Sequence, residues 1–341
     1  MGRSRWRELV GNGHFSSRGG LFGLTALAFA LRLWQLDSQS LWFDEAYSVF
    51  VARLPLAFSF EVLIADGVHP PLYYLMQRLA LVFGESEAAV RLPSVIFGAL
   101  AVPLTYRLGC TWGSAKQAIL WSALVALSPF HIWYSREARM YALLMTLALA
   151  SMAAYWGFLQ RPTWRRATWL ALASLLAYLT HYFALFLPLV QLVHLILHLR
   201  RYPHHLRLWV PAQFAASLPL IVWVITIARQ PGLTFGIGWI EQPTPIDLVY
   251  TYLNMSVGLV RPLDAVSWMS LAVLGLLAWI GAKKGWGQQP AGSLLVIWAA
   301  VPVLLTFLMS LRRPVYVDRF LIICLPAMLL LVSRGSLSLA G

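Results

Sequence analysis

The sequence predicts an all-α integral membrane protein with about ten spanning helices. Two observations carry this prediction. Of the 341 residues, 60% are hydrophobic and 11% are charged, whereas soluble domains carry about 25% charged residues. The chain also contains 16 Trp and 13 Tyr residues, which are typical of membrane–water interfaces. This composition excludes a soluble enzyme, a disordered chain, a coiled coil and a disulfide scaffold, and we expect one domain over residues 1–341.

The predicted spans are runs of mainly apolar residues without charges, measured against the length of about 20 residues that a spanning helix requires. The run at 167–199 is too long for one span, and we expect it to break near His181 and Pro188 into two helices. The other runs lie at 21–36, 92–106, 117–135, 140–160, 208–228, 265–282, 285–311 and 320–333.

Charge distribution predicts the orientation. Lys and Arg residues form short clusters between apolar runs, which is typical of cytoplasmic loops and places the N-terminus in the cytoplasm. The net charge of +13 is therefore interpreted as an orientation signal, and no nucleic-acid partner is expected. Glu8 is the only acid on the predicted inner side, and the other twelve of the 13 acids lie in or beside outer segments. The outer face is thus the predicted functional face.

Two outer segments are long. The segment 37–91 contains amphipathic stretches at Leu54–Phe60 and Pro71–Phe83, a pattern typical of helices that lie in the interface plane. We expect two or three such helices there. The second segment, Arg229–Asp264, is rich in Gly and Pro and is predicted to be a mobile loop.

Asp44 and Glu45 are the candidate catalytic acids. They follow Trp42 and Phe43 directly after the first span, and poor hydration raises the proton affinity of a carboxylate. Either acid could therefore act as a general base. The alternative is a pair of interfacial acids that neutralise arginines.

Asp66 and His69 precede two prolines that lead into a helix. With His131 and His181 they could in principle assemble a metal site. Because no two of these histidines have i, i+4 spacing, we expect no cofactor. The binding of a divalent cation is left open.

Arginines form two candidate anion sites on the outer face. Arg136 and Arg139 have i, i+3 spacing and are predicted to share the first turn of the next helix, where free amide donors favour a phosphate. Arg312, Arg313 and Arg319 precede the last span, contrary to the orientation rule. Contact with lipid headgroups is the alternative interpretation of both clusters. The same two interpretations apply to Arg32 in the first span.

Five motifs in this order resemble the polytopic GT-C glycosyltransferases. The nearest likeness is to dolichyl-phosphate-mannose–protein mannosyltransferases and aminoarabinose transferases of lipid A. The motifs are LWFDEA at 41–46, HPPLYY at 69–74, EAAVRLPS at 87–94, YSREARMY at 134–141 and PVYVDR at 314–319.

The resemblance implies an enzyme that transfers a sugar from a polyprenyl-phosphate donor to a hydroxyl acceptor, with inversion. The acceptor would be a lipid, a glycan or a protein, on the extracytoplasmic face of the cell (inner) membrane. It implies Asp44 as the base, with Glu45 beside it, and Arg139 as the donor's phosphate ligand. The other arginines at 136, 312, 313 and 319 would assist. Further residues expected to contact substrate are Asp66, His69, Tyr73, Tyr134 and His181.

Three other functions stay open from the sequence. A membrane transporter or flippase for a lipid-linked or anionic substrate would also have about ten spans, but its charges would gather near the midplane between repeated halves. A ligase that uses a pyrophosphate-linked donor is a nearer alternative. A non-catalytic lipid-binding or assembly protein would retain the arginines without requiring Asp44.

Overall fold

The computed structural model describes residues 14–230, 238–259, 264–285 and 290–340, with side chains from residue 19 onward. Within these ranges the chain is helical and contains no strand. The α-helices are α1 His14–Leu33, α2 Phe43–Arg53, α3 Leu56–Asp66, α4 Leu72–Ala80, α5 Glu87–Trp112, α6 Ala115–Leu127, α7 Pro129–Tyr134, α8 Tyr141–Gln160, α9 Trp164–Tyr178, α10 Phe186–Leu197, α11 Leu206–Ala228, α12 Pro245–Val257, α13 Ala265–Gly285, α14 Pro290–Ser310 and α15 Leu325–Ala340. Short 3₁₀ helices occupy Leu81–Phe83, Tyr182–Leu185 and Asp318–Cys324.

Six helical segments of the described chain are long and apolar enough to cross a membrane. They are α5, α8, α11, α13, α14 and the continuous segment Asp318–Ala340. Shorter apolar helices include Gly19–Leu33, Ala115–Leu127 and Tyr182–Leu197. The prediction of an all-helical, multi-pass membrane protein is therefore confirmed. The count of ten spans stays a prediction.

Helix ends follow local sequence signals. Ser86, Ser114 and Thr163 each accept a hydrogen bond from the backbone N–H three residues later, which satisfies a donor that the helix itself leaves free. The predicted break in the run 167–199 is confirmed between Tyr178 and Tyr182, while Pro188 lies in the first turn of α10.

Three predictions about local structure are wrong. The predicted span 117–135 breaks at Ser128, whose side chain caps the short helix α7 with Pro129 at its first position. The predicted loop Arg229–Asp264 contains helix α12; its residues 231–237 and 260–263 lie outside the described residues. Arg136 and Arg139 do not share a helical turn, because residues 135–140 form turns and bends before α8 begins.

The long outer segment contains three consecutive short helices, α2 to α4, in agreement with the predicted two or three. Large apolar side chains on them face outward, including Phe43, Phe50, Phe58 and Leu79. Such exposed apolar surface is what helices at a membrane interface require.

A buried ion pair ties this segment to the rest of the protein. Arg91 of α5 donates from Nε and Nη2 to the two carboxylate oxygens of Glu45, at 2.8 and 2.7 Å. Arg91 Nη1 also donates to the carbonyl oxygens of Leu36 and Gln39. The backbone N–H of Ala138 donates to Glu45 Oε1 at 2.7 Å. One carboxylate thereby joins α2, α5 and the turn before α8.

We predict that Glu45→Gln strongly destabilises the fold. Removing one partner of a buried ion pair costs about 3–5 kcal/mol, since it leaves a buried charge without its counter-ion. Glu85→Gln is the matched control, because Glu85 pairs with Arg53 at a site where both side chains are about half exposed. An exposed pair contributes about 0–1 kcal/mol. Thermal unfolding in detergent measures both variants, and equal unfolding temperatures would contradict this role of Glu45.

Candidate active site

Asp44 is a carboxylate with two guanidinium neighbours and access to solvent. It lies at the second position of α2, and its side chain is 26% exposed. Asp44 Oδ2 is 3.8 Å from Arg139 Nη2 and 3.9 Å from Arg319 Nη2. The two arginines come from segments of the chain that are 180 residues apart, so the cluster exists only in the folded protein.

Arg139 is almost completely buried and is held on several sides. Its Nη1 donates to the Asp44 carbonyl oxygen at 3.2 Å and to Ser48 Oγ at 3.1 Å. Its Nη2 donates to His69 Nε2 at 2.7 Å. Ser94 Oγ in turn donates to the Arg139 carbonyl oxygen at 3.0 Å. The guanidinium is therefore fixed before any ligand arrives.

The two site histidines are neutral. Burial, and then the positive charge of Arg139, lower the pKa of His69 well below its usual value. Since an arginine can only donate, His69 Nε2 must accept its hydrogen bond, which requires an unprotonated nitrogen. Burial followed by Arg139 and Arg319 lowers the pKa of His181 to about 3. Both rings therefore act as hydrogen-bonding and packing groups at neutral pH.

Arg319 is surrounded by aromatic rings. Its guanidinium carbon lies 5.3 Å from the ring centre of Trp239, 5.7 Å from that of Trp42 and 5.9 Å from that of Tyr141. Cation–π contacts of this kind stabilise a guanidinium where water is scarce. Arg319 is thus held by ring faces, while its Nη2 atom lies near Asp44.

A cavity of about 320 Å³, here called the Asp44 cavity, opens onto this cluster. Asp66 also lines it, and burial raises the pKa of Asp66 above its usual value. The lining residues are Phe43, Asp44, Tyr47, Asp66, Val68, His69, Tyr74, Arg139, Tyr141, Trp239, Arg319 and Phe320.

A second cavity of about 480 Å³, here called the apolar cavity, adjoins the first. The two share Val68, His69 and Phe320. The walls of the second are nearly all apolar or aromatic, for example Phe186 and Leu189 of α10. An apolar space therefore lies beside a charged one.

A third cavity of about 430 Å³, here called the Glu137 cavity, lies on another side of Arg319. Arg319 and the N-terminal turn of α2 contribute to both this cavity and the Asp44 cavity. The Glu137 cavity is lined by Gln35, Leu36, Ser38, Gln39, Ser40, Trp42, Glu45, Arg91, Trp133, Tyr134, Arg136, Glu137, Leu259 and Arg319.

Several of the predicted site residues come together. Asp44, Asp66, His69, Arg139 and Arg319 all line the Asp44 cavity. His181 lies beside His69, with the two ring centres 5.3 Å apart, and lines the apolar cavity together with Arg313. Tyr134 lines the Glu137 cavity.

Other predicted residues have different surroundings. Both carboxylate oxygens of Glu45 are engaged by Arg91, so Glu45 is a structural anchor. Arg136 donates to the carbonyl oxygens of Trp34 and Gln35 and lines the Glu137 cavity. The predicted substrate contact of Tyr73 is not supported, because its buried hydroxyl donates to Gln77 and it lines none of the three cavities.

Arg312 and Arg32 also lie apart from the cluster. Arg312 is exposed after the end of α14 and lines none of the three cavities. Arg32 is fully buried and donates to Ala126 O and hydrogen-bonds His131 Nδ1, which removes His131 from the group around His69.

Sequence reasoning missed four contributors to the cluster. Tyr74, rather than Tyr73, faces the Asp44 cavity, together with Tyr141 and Trp239. Glu137 is a second acid, besides Glu45, that lines the Glu137 cavity. Tyr74 and Tyr141 lie inside motifs quoted above, so their positions were visible, whereas nothing local distinguishes Trp239. Among the described residues, no group of three or more His, Cys, Asp or Glu side chains is arranged to hold a metal ion.

The geometry defines a polytopic membrane protein with a charged site at one end of its helices, and comparison with known proteins agrees. The family model described as dolichyl-phosphate-mannose-protein mannosyltransferase matches residues 68–226. A relative from Proteus mirabilis, undecaprenyl phosphate-alpha-4-amino-4-deoxy-L-arabinose arabinosyl transferase 2, is 26% identical over 73% of this chain and 46% of its own length. A homologous transferase of Erwinia tasmaniensis is also 26% identical, over 76% of this chain and 47% of its own.

Solved structures share the fold. ArnT from Cupriavidus metallidurans bound to undecaprenyl phosphate superposes with a TM-score of 0.66 at 16% identity, over 93% of this chain and 60% of that one. The Archaeoglobus fulgidus oligosaccharyltransferase gives 0.56 at 13% identity, over 94% of this chain and 49% of that one. The resemblance to the GT-C superfamily is confirmed, and this chain has the GT-C fold. It spans about half the length of the curated relatives it matches.

We predict that Glu137 makes stability depend on pH. Burial raises the pKa of Glu137 from 4.5 to about 7. Between these two pH values the folded protein therefore holds a proton on Glu137 that the unfolded chain has released. This contribution is complete below pH 4.5 and is lost as the pH rises through 7. The unfolding temperature should therefore fall across that window, and it should fall less in Glu137→Gln. Parallel curves for wild type and variant would contradict the shifted pKa.

Proposed function

We propose that this protein is a glycosyltransferase that moves a sugar from a polyprenyl-phosphate donor to a hydroxyl acceptor, with inversion at the anomeric carbon. The observation that carries the proposal is the bracketing of one accessible carboxylate, Asp44, by Arg139 and Arg319 in a cavity that shares three lining residues with an apolar one. The relatives and structural neighbours support this class of reaction, since their names include undecaprenyl phosphate and arabinosyl transferase.

The two adjoining cavities suit the two parts of such a donor. A polyprenyl phosphate combines an apolar chain with an anionic head. The apolar cavity would take the part of the chain nearest the head, and the Asp44 cavity would take the phosphate and sugar. Because Val68, His69 and Phe320 line both cavities, a continuous ligand could extend from one to the other. The guanidinium groups of Arg139 and Arg319 match phosphate oxygens in charge and geometry.

Asp44 is the proposed base, and Arg139 and Arg319 are the proposed phosphate ligands. The donor phosphate carries one negative charge, which together with Asp44 balances the two arginines. Asp44 accepts the acceptor's hydroxyl proton as that oxygen attacks the anomeric carbon. The bond between this carbon and the phosphate oxygen breaks, and its electron pair stays on the phosphate. The arginines stabilise the second negative charge that develops there.

No general acid is required in this scheme, because a phosphate leaves as an anion without being protonated. One carboxylate therefore suffices, in contrast to hydrolases that cleave sugar–alkoxide bonds with two. Neither a metal ion nor an organic cofactor is part of the proposal. Glu45 acts through Arg91 and the Ala138 N–H as a positioning residue, and it does not take the proton.

We propose that the site faces the extracytoplasmic side of the cell (inner) membrane, with the N-terminus in the cytoplasm. The segments that sequence analysis assigned to the outer face, together with the adjoining ends of predicted spans, supply the walls of the Asp44 and apolar cavities. Segments assigned to the inner face pair with one another elsewhere, for example Arg334 with the Trp112 carbonyl and His205 with the Leu159 carbonyl.

We predict that Asp44→Asn keeps donor binding and loses transfer. The purified protein is offered mannose or 4-amino-4-deoxy-L-arabinose on undecaprenyl phosphate, with an envelope extract as acceptor. Loss of a general base should reduce the transfer rate about 10²–10⁴-fold. Glu61→Gln is the matched control, because Glu61 is an exposed acid on α3 that lines none of the cavities, and it should behave as wild type.

The arginine arm of the same experiment tests the phosphate site. Arg139→Ala should weaken donor binding about 10- to 100-fold, since it removes a charged hydrogen-bond donor, and Arg139→Lys should recover part of that loss. Unfolding temperatures identify variants that fail to fold. Normal transfer by Asp44→Asn would show that another residue is the base. If folded wild type binds neither lipid-linked sugar, the glycosyltransferase proposal fails and transport becomes the better explanation.

A further inference from the structure

The Glu137 cavity is not used by the proposed donor, yet it borders the reacting groups. Arg319 and the first turn of α2 contribute to both the Glu137 and the Asp44 cavities. Trp42 and Glu45 line the first of these, whereas Phe43 and Asp44 line the second. A molecule in the Glu137 cavity would therefore reach the Arg319 guanidinium, whose Nη2 lies 3.9 Å from Asp44 Oδ2.

Three side chains around this cavity carry polar atoms whose hydrogen-bonding capacity is unused. Within the described part of the chain, Arg136 Nε, Glu137 Oε2 and Arg319 Nε are buried and have no hydrogen-bond partner. All three side chains line the cavity. Leaving such groups unsatisfied is costly, and proteins rarely retain them without a reason. Together they offer two donors and one acceptor around a single space.

Aromatic surface completes the cavity. Trp133 is 51% exposed and Trp42 is 37% exposed, although both line it. Tyr134, Gln35 and Gln39 add further polar groups. Exposed indole faces beside mixed donors and acceptors suit a ligand with apolar C–H faces and many hydroxyl groups. A hydroxyl both donates and accepts, so it can satisfy a carboxylate oxygen and a guanidinium N–H at once.

The charge of the cavity argues against a polyanionic ligand. Arg91 is neutralised by Glu45, and Arg136 is already directed at the carbonyl oxygens of Trp34 and Gln35. Arg319 lies opposite Asp44, and Glu137 would repel an anion once it is ionised. Little positive charge is left over for a phosphate at this position.

We propose that the Glu137 cavity binds the acceptor, and that the acceptor is a carbohydrate whose attacking hydroxyl reaches Asp44 past Arg319. This inference rests on the proposed function and names the acceptor class and its recognition residues. Glu137 accepts from one sugar hydroxyl, Arg136 donates to another, and the Trp133 and Trp42 rings pack against the sugar face. These residues set acceptor specificity and take no part in holding the donor phosphate.

The test measures transfer from the same two lipid-linked donors while the acceptor extract is varied. At a pH above 7, where Glu137 is ionised, Glu137→Gln should raise the extract concentration for half-maximal transfer about 10-fold, because a hydrogen bond to a charged group is lost. Trp133→Ala, at a half-exposed position whose side chain also hydrogen-bonds Glu137, should raise it about 5-fold. Donor dissociation constants should not change in either variant. Trp169→Ala is the matched control, since Trp169 is a similarly exposed tryptophan on α9.

Treatment of the extract identifies the acceptor class. Periodate cleaves the vicinal diols of sugars, so pretreatment followed by quenching should abolish transfer, whereas protease digestion should leave it intact. Transfer that is lost with protease and kept after periodate would overturn the carbohydrate acceptor in favour of a protein hydroxyl. Wild-type transfer with unchanged acceptor dependence in both variants would overturn the assignment of this cavity. Absence of any wild-type transfer would instead overturn the proposed function itself.

Discussion

The buried pair of Glu45 and Arg91 is the contact on which the site depends. Glu45 lies next to Asp44 in the chain. Its carboxylate accepts a hydrogen bond from the backbone N–H of Ala138, which lies next to Arg139. Fixing one carboxylate therefore fixes both the candidate base and its main arginine. Arg91 also holds the carbonyl oxygens of the chain between α1 and α2. In a membrane protein such a pair is costly to desolvate, and its further hydrogen bonds to the backbone of Leu36, Gln39 and Ala138 offset that cost.

The electrostatic state of the cluster follows from this anchoring. Two guanidinium groups face a single accessible carboxylate, and the neighbouring histidines are kept neutral by burial and by the same arginines. The two arginines thus carry one more positive charge than Asp44 balances, and burial raises the pKa of Asp66, which lines the same cavity, above its usual value. An anionic ligand would complete the balance. The apolar cavity beside it favours an anion attached to a hydrocarbon chain.

Much of this organisation could be predicted from sequence because it has a local signal. Apolar runs reveal spans, and motifs around Asp44, His69 and Arg139 identify segments that meet. The failures concern contacts between distant residues. Glu45 was expected to act beside Asp44, its neighbour in the chain. Its actual partner, Arg91, is 46 residues away and could not be identified from the local sequence. The side chains of Arg136 and Arg139 do not form one anion site, because their hydrogen-bond partners lie on different segments of the chain. Tyr74, and not the predicted Tyr73, lines the Asp44 cavity. The packing of α4 decides which of the two faces the cavity, and this packing is not a local property of the sequence.

The most direct test is a structure of this protein with undecaprenyl phosphate. The proposed function predicts that the phosphate lies within hydrogen-bonding distance of Arg139 and Arg319, with the first isoprene units in the apolar cavity. Asp44 should then be released from at least one arginine and face the space left for the sugar. A phosphate bound elsewhere, with both Asp44–arginine contacts intact, would contradict the assignment of this cluster as the donor site.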